Sequence, residues 1–290
     1  REEKRILRGI SSAIEKKFGK RVDLLFLAKK KYSFQIQGYK RYVQMFRSYR
    51  PKVIAYADNG EMKNMIEAAH KVKIPTVDLQ HAVVSYLNLL YNYPAKYTNH
   101  YSPTISDYVF TFGDYWTNEY RLPAKVIPVG FPYFEMMTNR VKPAMSIESR
   151  SKNIIILSNY MHNDLFVRYA LELADLLPGH KIYYKLVFTY YQDWRWRCPD
   201  LAKKSNIFVI DDNRPTLYEY FSMCRYQIGT NSTALFEGLG YNLTTFVLRG
   251  STSIEVQELY DKGYAFLVSS AREIAEKVNN QVELKFFSSI

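Results

Sequence analysis

Two cysteines in 290 residues, Cys198 and Cys224, are too few for a disulfide framework or a zinc site. A reducing cytoplasm is therefore the expected setting, and the sequons at Asn231 and Asn242 are expected to carry no glycan. No run of about 20 apolar residues is present, so no bilayer-spanning helix is expected. Gly-x-Ser-x-Gly, Walker A and Gly-x-Gly-x-x-Gly are missing too. Their absence disfavours nucleophile-elbow hydrolases, nucleoside triphosphatases of the P-loop kind and standard dehydrogenases. Acidic residues are scarce at one end. Residues 1–52 hold 16 Lys and Arg against 4 Asp and Glu, whereas the other 238 residues hold 24 of each. The whole net charge of +12 thus sits in the N-terminal segment. Such a patch suits an anionic membrane surface better than nucleic acid, because no nucleic-acid-binding motif accompanies it; a plain solvated helix face is the alternative. Ile6, Leu7, Ile10 and Ile14 are expected to pack this helix on its lobe, leaving a purely electrostatic, salt-sensitive attachment. The chain starts at Arg1 rather than Met and shows no signal-peptide pattern, which reads as a trimmed or partial chain.

What the chain does have is aromatic mass, 16% with Tyr dominant, and an ordinary 47% hydrophobic share. That is enough for a sizeable core, and the length suits two domains. Short apolar runs at Val22–Leu27, Val53–Ala57, Thr76–Leu79, Tyr108–Phe112 and Val126–Val129 read as strands. Tyr39–Ser48 and Glu61–Val72 read as helices between them. Residues Phe131–Lys152 are polar and proline-bearing and read as a linker. The alternation then restarts with strands at Ile154–Leu157, Lys181–Val187, Ile207–Ile210, Gln227–Gly229, Thr245–Leu248 and Ala265–Val268. Helices are expected at Leu165–Leu177, Thr216–Met223, Thr233–Leu239, Ile254–Asp261 and Ala271–Asn279. This pattern predicts an α/β protein of two Rossmann-like lobes with parallel sheets facing a cleft, residues 1–135 and 136–290. In such sheets ligands sit beyond the carboxyl ends of the strands.

The segment Gly229-Thr230-Asn231-Ser232-Thr233-Ala234-Leu235-Phe236-Glu237-Gly238 therefore stands out. A strand runs into Gly229, and hydroxyl-bearing residues then open a helix. A helix start offers unpaired N–H groups and a positive dipole end, which suits a diphosphate. Glu237, one turn on, is placed to accept from ribose hydroxyls. An ordinary capped helix with a solvated Glu is the plainer account. Lys185, Arg214 and Arg249 are candidate cations for the leaving diphosphate. Asp58 in Asp58-Asn59-Gly60 and His81 after Leu79 are candidate general bases, each at a strand's carboxyl end. Turn chemistry explains Asp58 equally well, and a buried, loop-fixing imidazole explains His81. Asp211-Asp212 reads as a loop rather than a metal site. Trp194-Arg195-Trp196-Arg197, with Tyr190 and Tyr191, is an aromatic–basic cluster suited to stacking on a base or a sugar ring, or to packing on its own lobe.

These residues also carry a resemblance. Lys185, Tyr218-Glu219 and Gly229–Gly238 resemble the donor lobe of GT-B glycosyltransferases, in particular bacterial enzymes that build capsule and surface polysaccharides. Asp58-Asn59-Gly60, Ile74–His81, Phe112–Trp116 and Val129–Pro132 follow in that group's order. The resemblance spans about residues 51–270. It implies a metal-independent, inverting transferase acting with no cofactor beyond its nucleotide-sugar donor substrate. The acceptor would be a glycan or lipid-linked glycan, at the inner face of the cytoplasmic membrane. It implies donor contacts from Lys185, Arg214, Gly229, Thr230, Asn231, Ser232, Thr233 and Glu237, and catalysis by Asp58 or His81. Two departures stand out. Gln80-His81-Ala82 replaces the group's Gln-His-Gly. Val187-Phe188 replaces the His-Pro of relatives that use CMP-linked acidic sugars. A non-catalytic scaffold and a nucleotide-sugar 2-epimerase-like enzyme are the alternatives.

Overall fold

The computed structural model describes residues 2–58, 60–98, 100–142, 150 and 152–284. Helices α1 (Glu2–Phe18) and α2 (Leu24–Tyr49) come first. Strand β1 (Ile54–Tyr56), α3 (Lys63–Lys71), β2 (Thr76–Leu79), α4 (Ala95–Thr98), β3 (Tyr108–Thr111), α5 (Asp114–Thr117) and β4 (Lys125–Pro128) follow. Helix α6 (Pro132–Arg140) leads to β5 (Asn153–Leu157), α7 (Asn163–Leu176), β6 (Lys181–Lys185), α8 (Trp194–Arg197) and β7 (Ile207–Ile210). The chain then forms α9 (Leu217–Met223), β8 (Tyr226–Gly229), α10 (Thr233–Gly240), β9 (Thr244–Leu248), α11 (Gln257–Asp261), β10 (Phe266–Val268) and α12 (Ala271–Asn279).

The contacts divide the chain into two compact units. One comprises Arg1–Gln80, Tyr93–Phe110 and Arg121–Ile127; the other comprises His81–Asn92, Thr111–Tyr120 and Pro128–Ile290. The α/β expectation holds. One sheet has four strands in the order β1-β2-β3-β4, and β2 pairs in parallel with both neighbours. The other has six strands in the order β10-β9-β8-β5-β6-β7, every pair parallel. In the six-stranded sheet the order reverses between β5 and β8. That reversal opens a crevice at the carboxyl ends of these two strands, the usual ligand position in a doubly wound sheet.

The Ile-Ile-Ile-Leu run of β5 is buried along its length, as a central parallel strand covered on both faces must be. Its residues pack with Phe166 and Leu173 of α7, Ile182 and Tyr184 of β6, and Ile274 and Val278 of α12 in one core. In the first unit a smaller core joins Phe46 of α2 to Met65, Ala68 and Ala69 of α3 and to Ile74.

Three expectations are corrected. Val22–Leu27 is no strand, because Asp23 caps α2 by accepting from the Phe26 amide at 2.9 Å. A short apolar run cannot by itself distinguish a strand from a helix start. Residues 131–152 are not a plain linker, since Pro132 occupies the first turn of α6, where its missing N–H costs nothing. The stretch 143–149 and Ser151 lie outside the described residues. Finally, α1 has no buried residue: Leu7 and Ile14 are half-buried, whereas Ile6 and Ile10 are 51% and 46% exposed. Packing against α2 covers one face of α1. No helix among the described residues is long and apolar enough to cross a membrane.

Candidate functional site

The centre of the six-stranded sheet builds the site. Strand β8 ends at Gly229, where a side chain would collide with Leu235: a Cβ there would lie 2.9 Å from its Cδ2. The tight turn brings Ser232 to the N-cap of α10, and its hydroxyl accepts from the Ala234 amide at 3.2 Å. The Leu235 amide turns back to the Ser232 carbonyl at 3.1 Å. With these two donors satisfied, the amide of Thr233 remains for a ligand or solvent at the positive end of the helix.

Asn231 is the hub of this turn. Its Oδ1 accepts from Asn159 Nδ2 at 2.9 Å and from the Thr230 hydroxyl at 3.0 Å. Its Nδ2 donates to Glu255 Oε2 at 3.0 Å. Asn159 lies two residues past β5 as Asn231 lies two residues past β8. The pair therefore ties together the two loops that flank the strand-order reversal. Asn159 Oδ1 also accepts from the Met161 amide at 2.7 Å and so fixes the turn at Tyr160–His162.

Glu237 points from the same helix into an aromatic pocket, not into solvent. The Tyr218 hydroxyl donates to its carboxylate. The Tyr218 ring packs against Tyr133 at 5.8 Å and Tyr241 at 6.1 Å. Burial raises the carboxyl above its ordinary range, and the Tyr218 hydrogen bond works in the opposite direction. Burial and the adjoining carboxylate together push the Tyr218 hydroxyl up.

Lys185 and Arg214 form a separate group beyond β6 and β7. Lys185 donates to the Tyr191 hydroxyl and to the Asp212 carbonyl at 3.3 Å, and its Nζ lies 4.4 Å from the Tyr191 ring. Burial lowers the Lys185 ammonium; Asp212 and Asp211 offset part of the effect. The backbone of Arg214 donates to Asp212 Oδ1 at 3.1 Å and its side chain is exposed. Arg249 donates through Nε to Ser269 at 3.0 Å. Asp211 accepts from Trp194 Nε1 at 2.7 Å, so the Asp211–Asp212 carboxylates act in loop architecture. Among the described residues no group of three metal-ligating side chains occurs.

Asp58 occupies the left-handed region, φ 74°, and its Oδ1 accepts from the Gly60 amide at 3.0 Å. This is turn chemistry that Asp and Asn tolerate better than other side chains. His81 is exposed, so the buried, loop-fixing imidazole is corrected.

Asn159 and Glu255 join the site without having been singled out for it. Asn159 was findable from its place just after a strand. Tyr218 stood in the motif stretch, but its hydrogen bond to Glu237 spans 19 residues of sequence and has no local signature.

No protein-family model and no curated protein matches the chain. Solved structures do. The UDP-GlcNAc 2-epimerase of Neisseria meningitidis, bound to UDP-GlcNAc, is 18% identical with a TM-score of 0.58, over 85% of this chain and 72% of that one. MurG of Acinetobacter baumannii is 12% identical with a TM-score of 0.54, over 85% and 68%. The spinosyn rhamnosyltransferase SpnG, complexed with thymidine diphosphate, is 13% identical with a TM-score of 0.53, over 87% and 70%. At such identities the likeness is one of fold, and the fold of this chain is GT-B-like, with two α/β units built on parallel sheets.

Proposed function

We propose that the chain is a glycosyltransferase that takes a sugar from a nucleotide carrier and passes it to a glycan or lipid-linked acceptor of a bacterial surface polysaccharide. The observation that carries this reading is the Asn159–Asn231 pair, which holds the open start of α10 at the strand-order reversal. In this reading the diphosphate lies on the amides and hydroxyls of Gly229–Thr233. Glu237 exchanges its Tyr218 partner for a ribose hydroxyl, and Lys185 and Arg214 supply positive charge. A base, Asp58 or His81, takes the proton of the acceptor hydroxyl. The acceptor oxygen bonds to the anomeric carbon, and the nucleoside diphosphate leaves with the electrons of the broken bond, stabilised by the helix end and the cations without a metal.

The test is calorimetry with UDP-, CDP- and CMP-sugars, preceded by a thermal-shift screen, because a bound nucleotide raises stability by mass action. Glu237→Ala with unchanged nucleotide affinity would remove the ribose role. Absence of nucleotide release with every donor and acceptor would favour a scaffold, in line with the Val187-Phe188 departure. The fold likeness to epimerases supports a second reading, and conversion of a UDP-sugar without acceptor would establish it.

We also propose that residues 1–52 hold the enzyme on an anionic membrane at its cytoplasmic face. Support comes from the confinement of the net positive charge to this segment and from the exposure of Ile6, Ile10, Phe18, Phe26 and Phe34 beside it. Each Lys or Arg near such a surface contributes about 1 kcal/mol, within a Debye length of about 8 Å.

A further inference from the structure

A groove of about 580 Å³ opens in the second unit, at the carboxyl ends of β5 and β6. Its walls are the Tyr160–His162 turn and the start of α7 on one side, and Tyr190 with α8 on the other. The volume falls within the range of roughly 300–1,000 Å³ usual for small-molecule sites.

Its lining combines rings and fixed polar groups. Trp196 is 81% exposed and Tyr160 is 68% exposed, although both are large ring systems that normally gain from burial. Tyr160 and Tyr190 lie 6.3 Å apart between ring centroids. The Arg197 guanidinium sits 5.0 Å from the Tyr190 ring and 5.9 Å from the Trp196 ring. Its Nε donates to Asp193 at 2.7 Å, which fixes the plane and leaves the terminal amino groups as donors. Asp164 adds an exposed carboxylate acceptor.

Charge decides between the two ligands that such rings could stack on. Arg197 is paired with Asp193, Arg195 lies 3.6 Å from Asp211, and Asp164 adds a negative charge. The groove therefore carries no excess of positive charge. A base attached to phosphates would meet no electrostatic attraction here, whereas phosphate binding depends on it. A pyranose needs an aromatic face for its C–H groups and both donors and acceptors for its hydroxyls, and this lining supplies all three. The wall is also fixed to the donor segment, since Asn159 caps the Tyr160–His162 turn and bonds to Asn231.

We propose that this groove is a binding subsite for neutral sugar rings of the acceptor glycan, with Trp196 and Tyr160 as stacking platforms and Arg197 and Asp164 as hydroxyl partners. Its identification as an acceptor subsite rests on the glycosyltransferase reading; sugar binding itself does not. The test is saturation-transfer NMR on the whole chain with chitotetraose, cellotetraose and maltotetraose. UDP affinity is measured by calorimetry on the same samples. At least one tetrasaccharide should bind, with affinity falling tenfold or more in Trp196→Ala and Tyr160→Ala and largely kept in Trp196→Phe. Melting temperature and UDP affinity should not move. The proposal is overturned if none of the three sugars binds or if Trp196→Ala binds them equally. It is also overturned if that variant changes the sedimentation coefficient, since the ring would then cover a second copy. Ring-dependent sugar binding without UDP binding would uphold the groove and remove UDP as the donor nucleotide. The reverse would remove the groove alone.

Discussion

The Tyr218 hydroxyl donates to the Glu237 carboxylate inside a cage that includes the rings of Tyr133 and Tyr241. The residue proposed to read a ribose is thus held by a neutral phenol rather than by a cation. A carboxylate kept this way is costly to ionise and is ready to exchange one hydroxyl donor for another.

The first prediction follows from that cost. Burial raises the Glu237 carboxyl above its ordinary range. The folded protein therefore binds this proton more tightly than the unfolded chain does. The resulting stability is fully present below the unfolded carboxyl value of about 4.3 and is lost as pH rises through the folded one. Glu237→Gln keeps an acceptor for Tyr218 and removes the charge. The variant should melt higher than the parent at pH 7.5, by roughly 1 kcal/mol or a few degrees, and together with it at pH 4. Its nucleotide affinity should fall over the same range in which it gains stability. A melting difference that is the same at both pH values would refute the ionisation account.

The second prediction concerns two glycines. A Cβ on Gly238 would lie 2.1 Å from Gln227 Oε1 and 2.6 Å from its Cδ. Gln227 is fully buried and its Nε2 donates to the Leu235 carbonyl at 2.8 Å and the Thr245 hydroxyl at 2.7 Å, so it cannot swing away. At Gly229 the obstacle is the Leu235 side chain, whose Cδ2 would lie 2.9 Å away, a milder clash than the 2.1 Å at Gly238. Overpacking of this kind costs about 1–3 kcal/mol. Gly238→Ala should sit at the upper end and Gly229→Ala at the lower, as measured by urea unfolding. Gly229→Ala should weaken UDP binding more than its stability loss explains. The reverse ranking in stability would show that the α10–β8 contact is looser than described.

Much of the second unit was legible because β7 and β10 are continuous apolar runs, β5 is one after its first residue, and several helices have clear starts. Ser232, Thr216 and Ser270 each cap the helix that follows. The first 50 residues were harder to read. Leu24, Leu25, Phe26 and Leu27 look like a strand until Asp23 is recognised as a cap, and Ile6 and Ile10 look like core residues, whereas the structure leaves them exposed. Pairings such as Asn159 with Asn231, 72 residues apart, depend on the order of strands in the sheet, which no local pattern encodes.

The third prediction separates architecture from chemistry at Asp58. The residue holds a left-handed conformation and an Oδ1 bond to Gly60. Asn tolerates both, whereas Ala meets the steric cost of about 1–2 kcal/mol for that conformation. Asp58→Asn should leave the melting temperature unchanged and cut glycosyl transfer by roughly a hundredfold or more if Asp58 is the base. Asp58→Ala should lower both. Full turnover in the Asn variant would remove Asp58 from the chemistry and leave the exposed His81 as the candidate to test next.

The last prediction concerns the N-terminal hairpin. With its apolar residues packed inward, α1 would offer a membrane charge alone, and salt would abolish attachment. The structure instead leaves Ile6 and Ile10 exposed one turn apart on α1, and Phe26 and Phe34 exposed on α2. The predicted binding therefore has two components. In co-sedimentation at low salt the chain should pellet with vesicles rich in phosphatidylserine far more than with phosphatidylcholine vesicles. Raising the salt to 0.5 M should remove most of the bound fraction, because screening shortens the reach of the Lys and Arg charges. A smaller fraction should persist, held by apolar side chains that enter the headgroup boundary. Ile6→Glu combined with Ile10→Glu should abolish the persistent fraction while the salt-sensitive one survives in weakened form. These positions are exposed, so the melting temperature should stay close to that of the parent, which keeps a folding defect from mimicking the result. Equal binding to both vesicle types, or binding indifferent to salt, would remove the electrostatic attachment. Complete release of the parent by salt would return Ile6 and Ile10 to the role of ordinary surface residues.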